Sequence, residues 1–146
     1  MKAKVLALAL LAMASVPGVS SAEDVVYLSF QDTVAAATAS GKLDGSVKFY
    51  LAGNQPAGKV DVVNDNVVTN KKTNAFGKSS QESCSWALQS ALITLQDAAK
   101  QAGANAVVDI ESYYKKQVHS DPKNYECHKG SLMSGVALKG KLAKVH

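Results

Sequence analysis

The chain has 146 residues, 47% of them hydrophobic, 19% charged and 6% aromatic, which is too short for a multidomain machine and too apolar for a disordered one. Its 16 basic residues are all lysines and, against 12 acidic ones, leave a formal charge of +4. Without arginine it lacks the bidentate contacts that nucleic-acid proteins make to phosphate and guanine, so no nucleic-acid partner is expected.

Residues 1–22 read as a secretory signal peptide. Met1-Lys-Ala-Lys4 is a positive start, Val5 to Val16 is an apolar run, and Ser20-Ser21-Ala22 is a small-x-small cleavage site. The run falls short of the ~20 residues that span a bilayer. A lipoprotein leader would place a cysteine just after cleavage, whereas the first cysteine is Cys84. Removal takes Lys2 and Lys4 away and leaves a single domain over residues 23–146 with a charge of +2. The expectation is therefore a periplasmic protein with no membrane span and no lipid anchor. In that oxidising compartment Cys84 and Cys127 form one disulfide. Closing a loop of about 43 residues stabilises the fold by roughly 3–4 kcal/mol on the chain-entropy account.

In chain order, Val25 to Phe30 is a β-rich first strand, and the alanine-rich Gln31 to Lys42 is a short helix ended by Gly41. Ser46 to Leu51 alternates as a strand and leads into a turn over Gly53 to Gly58. Lys59 to Thr69 reads as two short strands or one interrupted strand, broken at Asn64-Asp65-Asn66. The clearest element is a helix from Ser80 to Ala102. Ser79 and Glu82 make a capping-box pattern, and Cys84, Ala87, Leu88, Ala91, Leu95, Ala98 and Ala102 follow one face, widened by Trp86 and Ile93. Ala104 to Lys116 alternates as a strand, with Val108 and Ile110 on one face and Asp109 and Glu111 on the other. Tyr125 to His128, and Leu132 to Lys141, return antiparallel to it. The fold class is α+β: one long helix packed on a small, mainly antiparallel sheet, plus a short N-terminal helix.

Five groups of residues invite a chemical reading. Ala75-Phe-Gly-Lys-Ser79 resembles the end of a phosphate loop, but Lys72 stands where that loop needs its first glycine, so no nucleotide site is expected. Cys127-His128 with Cys84 and His119 supplies metal-ligand types without metal-ligand spacing; if a metal binds, His119 and His128 are the ligands. Asp109 with Glu111, and Glu126 with His128, share strand faces as acid–base pairs do and as solvated sheet faces also do. The lysine pairs at 71–72 and 115–116, with Lys139, Lys141 and Lys144, suit a solvated surface. Tyr113 and Tyr114 beside Lys115 and Lys116 are the candidate contact surface, one ring on each strand face. No complete catalytic constellation is present, so the reading is a non-catalytic module without a cofactor.

Six strings carry a resemblance: Ser46 to Tyr50, Thr69 to Phe76, Gly103 to Val108, Ser112 to Lys116, Tyr125 to His128 and Gly135 to Gly140. Together they resemble small exported proteobacterial proteins that carry the automatic label "excinuclease ATPase subunit". The ATPase in that label needs complete phosphate loops and zinc-binding cysteine clusters, which these residues do not make. The order helix, Gly103-Ala-Asn-Ala-Val-Val108 strand, strand is similar to the YbjQ-like heavy-metal-binding family and to the RcsF envelope-stress sensors. The latter similarity implies a helix-to-strand disulfide that maps onto Cys84 and Cys127. A second cysteine pair and a lipidation cysteine are missing, so anchoring and stress signalling do not carry over. The expected role is a periplasmic binding or assembly domain with an envelope protein as partner or a second copy of itself. The alternative is a metal-binding module using His128, His119 and reduced cysteines.

Overall fold

The computed structural model describes residues 23–146; the leader assigned to residues 1–22 lies outside them. Eight elements follow in order: strand β1 (Asp24–Ser29), helix α1 (Phe30–Ala39), strands β2 (Lys48–Leu51) and β3 (Val60–Asn74), helix α2 (Ser80–Gln101), and strands β4 (Ala106–Ser112), β5 (Asn124–Lys129) and β6 (Met133–Val145). The class is α+β, and the sheet is mixed because β2 runs parallel to β4 while the other pairs are antiparallel.

The long β6 is the spine of the sheet. Along one edge it pairs with β3 over nearly its whole length, from Asn74 opposite Met133 to Val60 opposite Val145. Its other edge is shared: Gly135 and Ser134 pair with β5, and Leu138 to Ala143 pair with β4. Two branches therefore leave β6 on one side, β5–β1 and β4–β2, and the sheet curls between them.

Helix α2 fills the inside of that curl. Ser79 caps it, its hydroxyl accepting from Glu82 N at 3.1 Å. The buried stripe is Ser83, Cys84, Ala87, Leu88, Ala91, Leu92, Leu95, Gln96 and Ala99, packed against Val107, Ile110, Tyr125, Cys127, Val136, Leu138 and Leu142. Leucines buried this fully each contribute about 1.5–3 kcal/mol. The expected stripe holds at Cys84, Ala87, Leu88, Ala91 and Leu95 and departs at its end, where Ala99 is buried in place of Ala98 and Ala102, and at Trp86, which is 53% exposed under the Lys42 ammonium. Inside the packing, Ser83 and Ser134 bond hydroxyl to hydroxyl at 2.8 Å, a polar cross-link between helix and β6.

Of the two readings of Lys59 to Thr69, the single interrupted strand holds: β3 is one strand with two bulges near Asn64 that each insert a residue, and it continues to Asn74. Two expectations need correction. The strand expected to reach Lys116 stops at Ser112, and Lys115 and Lys116 adopt positive φ in a short 3-10 turn over Tyr114–Lys116. Finally, Val108 and Ile110 do not share a face. Asp109 sits at φ 51° in a bulge, which throws the alternation by one. Val107 and Ile110 enter the main core, and Val108 packs on the opposite side with Ala106 and Ala143.

Candidate functional site

The outer face of the β1–β5 branch carries the densest gathering of functional side chains. Alternation along β5 turns Tyr125 and Cys127 inward, both fully buried, and Glu126 and His128 outward. Register then sets Val25 beside His128 and Tyr27 beside Glu126 on the same outer face. The segment after β4 folds back over this face. Ser112 and His119 close it with a two-way backbone bridge, Ser112 N to His119 O at 3.0 Å and His119 N to Ser112 O at 2.9 Å. Ser112 Oγ also accepts from Glu126 N at 3.0 Å, tying the loop to β5.

The loop lays Tyr114 flat on the His128 ring, centroids 3.5 Å apart and planes 13° from parallel. It brings His119 against Tyr27 at 4.9 Å in a tilted pair. Gly135 leaves the space beneath Tyr114: a β-carbon there would lie 3.4 Å from both Tyr114 Cε2 and Lys72 Cγ. These side chains, with Glu23, Val25, Lys115, Gln117, Val118 and Glu126, enclose a cleft of about 380 Å³.

A hydrogen-bonded line of four side chains runs along its floor. Tyr114 Oη donates to Glu23 Oε2 at 3.3 Å, Glu23 Oε1 meets His128 Nδ1 at 3.2 Å, and His128 Nε2 meets Glu126 Oε1 at 2.8 Å. Both imidazole contacts are hydrogen bonds only when the ring carries both protons. Burial, and then the neighbouring Glu23 carboxylate, push the Tyr114 hydroxyl above its usual pKa. His119 Nε2 is buried at the same cleft without a hydrogen-bond partner. Behind the floor, Cys84 and Cys127 form the disulfide, with Cα atoms 5.9 Å apart and the two residues 43 positions apart in sequence. It fastens the middle of β5 to α2 directly beneath Glu126 and His128.

Of the residues singled out in the sequence, His119, Glu126, His128, Tyr114 and Lys115 meet in this one cleft. Tyr113 and Lys116 do not line it. Tyr113 instead lies under the Lys139 ammonium at 5.1 Å, and because the strand has ended, the two tyrosines do not project from opposite faces of a strand. Asp109 and Glu111 line a separate cleft of about 330 Å³ with Asp65, Asn66, Lys139 and Lys141, where Asp109 pairs with Lys141 at 3.3 Å. His128 pairs with Glu126 in the other cleft, so Asp109 and Glu111 have no histidine beside them. Among the described residues, no group of three or more His, Cys, Asp or Glu side chains converges to hold a metal. No helix among them is long and apolar enough to cross a membrane.

Sequence reasoning missed Glu23, Val25, Tyr27 and Val118. The alternation of Val25 and Tyr27 marks them as one strand face, but only the pairing of β1 with a strand some hundred residues later aims that face at the histidines. No protein-family model matches the chain, and no curated protein matches it.

Proposed function

We propose that residues 23–146 are an exported, periplasmic binding domain of RcsF- or YbjQ-like α+β architecture, non-catalytic and held by a helix-to-strand disulfide, with the Tyr114–His128 cleft as its binding site. The observation that carries this reading is the convergence of two tyrosine–histidine pairs and two carboxylates on one strand pair braced from behind by Cys84–Cys127. Aromatic faces offer apolar area at little entropic cost, and the paired carboxylates fix orientation. The partner fits as an envelope protein that presents an extended or aromatic segment to the cleft.

The test is an affinity capture from periplasmic extract with the wild-type protein, Tyr114→Ala and Glu126→Gln in parallel. A partner retained by the wild type and lost by both variants supports the reading. A partner retained equally by all three, with the variants folded, sets it aside.

A second reading follows from the unpartnered His119 Nε2, which lines the same cleft as His128: the cleft takes a divalent metal through those two imidazoles alone, with solvent completing the coordination shell. Titration with zinc or copper(II), followed through the histidine ring resonances, separates the two readings. Stoichiometric binding abolished by His119→Ala favours the metal.

A further inference from the structure

The end of the molecule where β3 runs into α2 exposes three large apolar side chains together: Phe76 is 71% exposed, Leu132 62% and Met133 48%. Two turns form this end. Ala75 N donates to Leu132 O at 2.8 Å, Gly130 N donates to Met133 O at 2.8 Å, and Asn74 stands opposite Met133 in the β3–β6 ladder. The base of the tip is rigid, because Ala75 and Ser134 are buried beside the exposed residues. Phe76 is held by a bond from its amide to Asn74 Oδ1 at 3.1 Å. None of the three lines the clefts described above.

Lysines surround the tip. Lys71 and Lys72 precede it on β3, Lys78 follows Phe76 by two residues, and Lys129 sits at the start of the β5–β6 turn with its ammonium on Gly130 O. The acidic groups nearest the tip are Asp24, opposite Lys129, and Glu82 in the first turn of α2, while Asp61 and Asp65 of β3, Glu126 of β5 and Asp97 of α2 lie farther along their elements. Four cations against two anions leave this end positive.

We infer that Phe76, Leu132 and Met133 form a tip that inserts into the interface of an anionic phospholipid bilayer, with Lys72, Lys78 and Lys129 against the headgroups. Apolar side chains ringed by lysine are what such an interface selects, since insertion and headgroup attraction add. A fluid interface closes around a convex point, whereas a protein partner would have to supply a matching pocket. A second copy docking tip to tip would set the two lysine collars against each other, which like-charge repulsion opposes. This inference is independent of the cleft and of what binds there.

The experiment is flotation of the processed protein with vesicles of phosphatidylglycerol and phosphatidylcholine, and with phosphatidylcholine alone. The protein floats with the anionic vesicles, and raising the salt from about 0.1 to about 0.5 M weakens the association. The double variant Phe76→Ser, Leu132→Ser binds at least about tenfold more weakly. Both substitutions are on exposed side chains, and an intact disulfide by mass together with an unchanged melting curve shows that the variant is folded. Lys78→Gln with Lys129→Gln, which leaves the apolar tip whole, lowers binding to anionic vesicles alone. No flotation, or flotation that the folded double variant retains, overturns the inference. Sedimentation equilibrium covers the other occupant: a dimer that the double variant loses, without vesicle binding, assigns the tip to a second copy instead.

Discussion

At Cys127 the chain passes from an outward Glu126 to an outward His128 while its own sulfur points into the core. One strand residue thus joins the covalent brace to the floor of the cleft. Replacing both cysteines with alanine is expected to cost about 2–5 kcal/mol in urea unfolding. It should also broaden or shift the His128 ring signals, because β5 loses its tie to α2. Unchanged His128 signals in the folded double variant would show that β5 is held by its ladders alone. The pairing was legible because the chain has only two cysteines to pair. The roles of Glu23 and Tyr27 were not, since a period of two says which residues share a face and never which strand will lie alongside.

At the scale of the element, the signals that worked were local. Ser79 is the N-cap of α2 as its spacing to Glu82 indicates, and Ser79→Ala should cost about 1 kcal/mol by removing the acceptor for Glu82 N. The signals that failed were those a single left-handed residue can overturn. Asp109 at positive φ moves every later side chain of β4 to the other face, and nothing in Val107-Val-Asp-Ile-Glu111 announces a bulge. The same region makes Gly140 indispensable. A β-carbon on it would stand 3.2 Å from Ile110 Cγ1, Val107 Cγ1 and Val108 O, tighter than side chains and a backbone carbonyl tolerate together. Gly140→Ala should therefore lower the urea midpoint, by about 1–3 kcal/mol in stability, whereas Gly135→Ala, whose space just admits a methyl, should cost less. An equal loss at both glycines would contradict the packing described for β4 against β6.

Stability of the whole molecule is expected to have an acid arm, to which Asp44 and Asp121 contribute, and an alkaline arm, to which Tyr125 and Tyr114 contribute. The Lys100 ammonium, followed by the Ser46 hydroxyl and amide, holds the Asp44 carboxyl well below its ordinary value of 3.8. A depressed folded value contributes stability that is present above the unfolded value and is lost as pH falls through the folded one. Tyr125 behaves in the opposite sense. Its hydroxyl is buried without a hydrogen-bond partner. Burial pushes its pKa from 10.0 up to about 12, opposed by the neighbouring Thr33 hydroxyl, whose own proton goes to Ser29 O. The raised value contributes stability that is complete below the unfolded value and lost as pH climbs through the folded one. Urea midpoints measured across pH should fall at both ends. Asp44→Asn should flatten the acid arm and Tyr125→Phe the alkaline arm between 10.0 and about 12. An alkaline arm unchanged in Tyr125→Phe would assign it to another group.

The pairing of β1 with β5 has a consequence in time. Glu23 and His128, which touch across the cleft floor, are 105 positions apart, so the first strand to emerge during synthesis waits for almost the last before it has a neighbour. Helix α2 closes on contacts within one stretch of chain and has no such wait, whereas the β3–β6 ladder completes later still, because β6 follows β5. Until residues 124–129 arrive, Tyr27 and Val25 remain on an unpaired strand and the cleft does not exist. A chain cut short before His128 would keep the helix sequence and lose the cleft entirely.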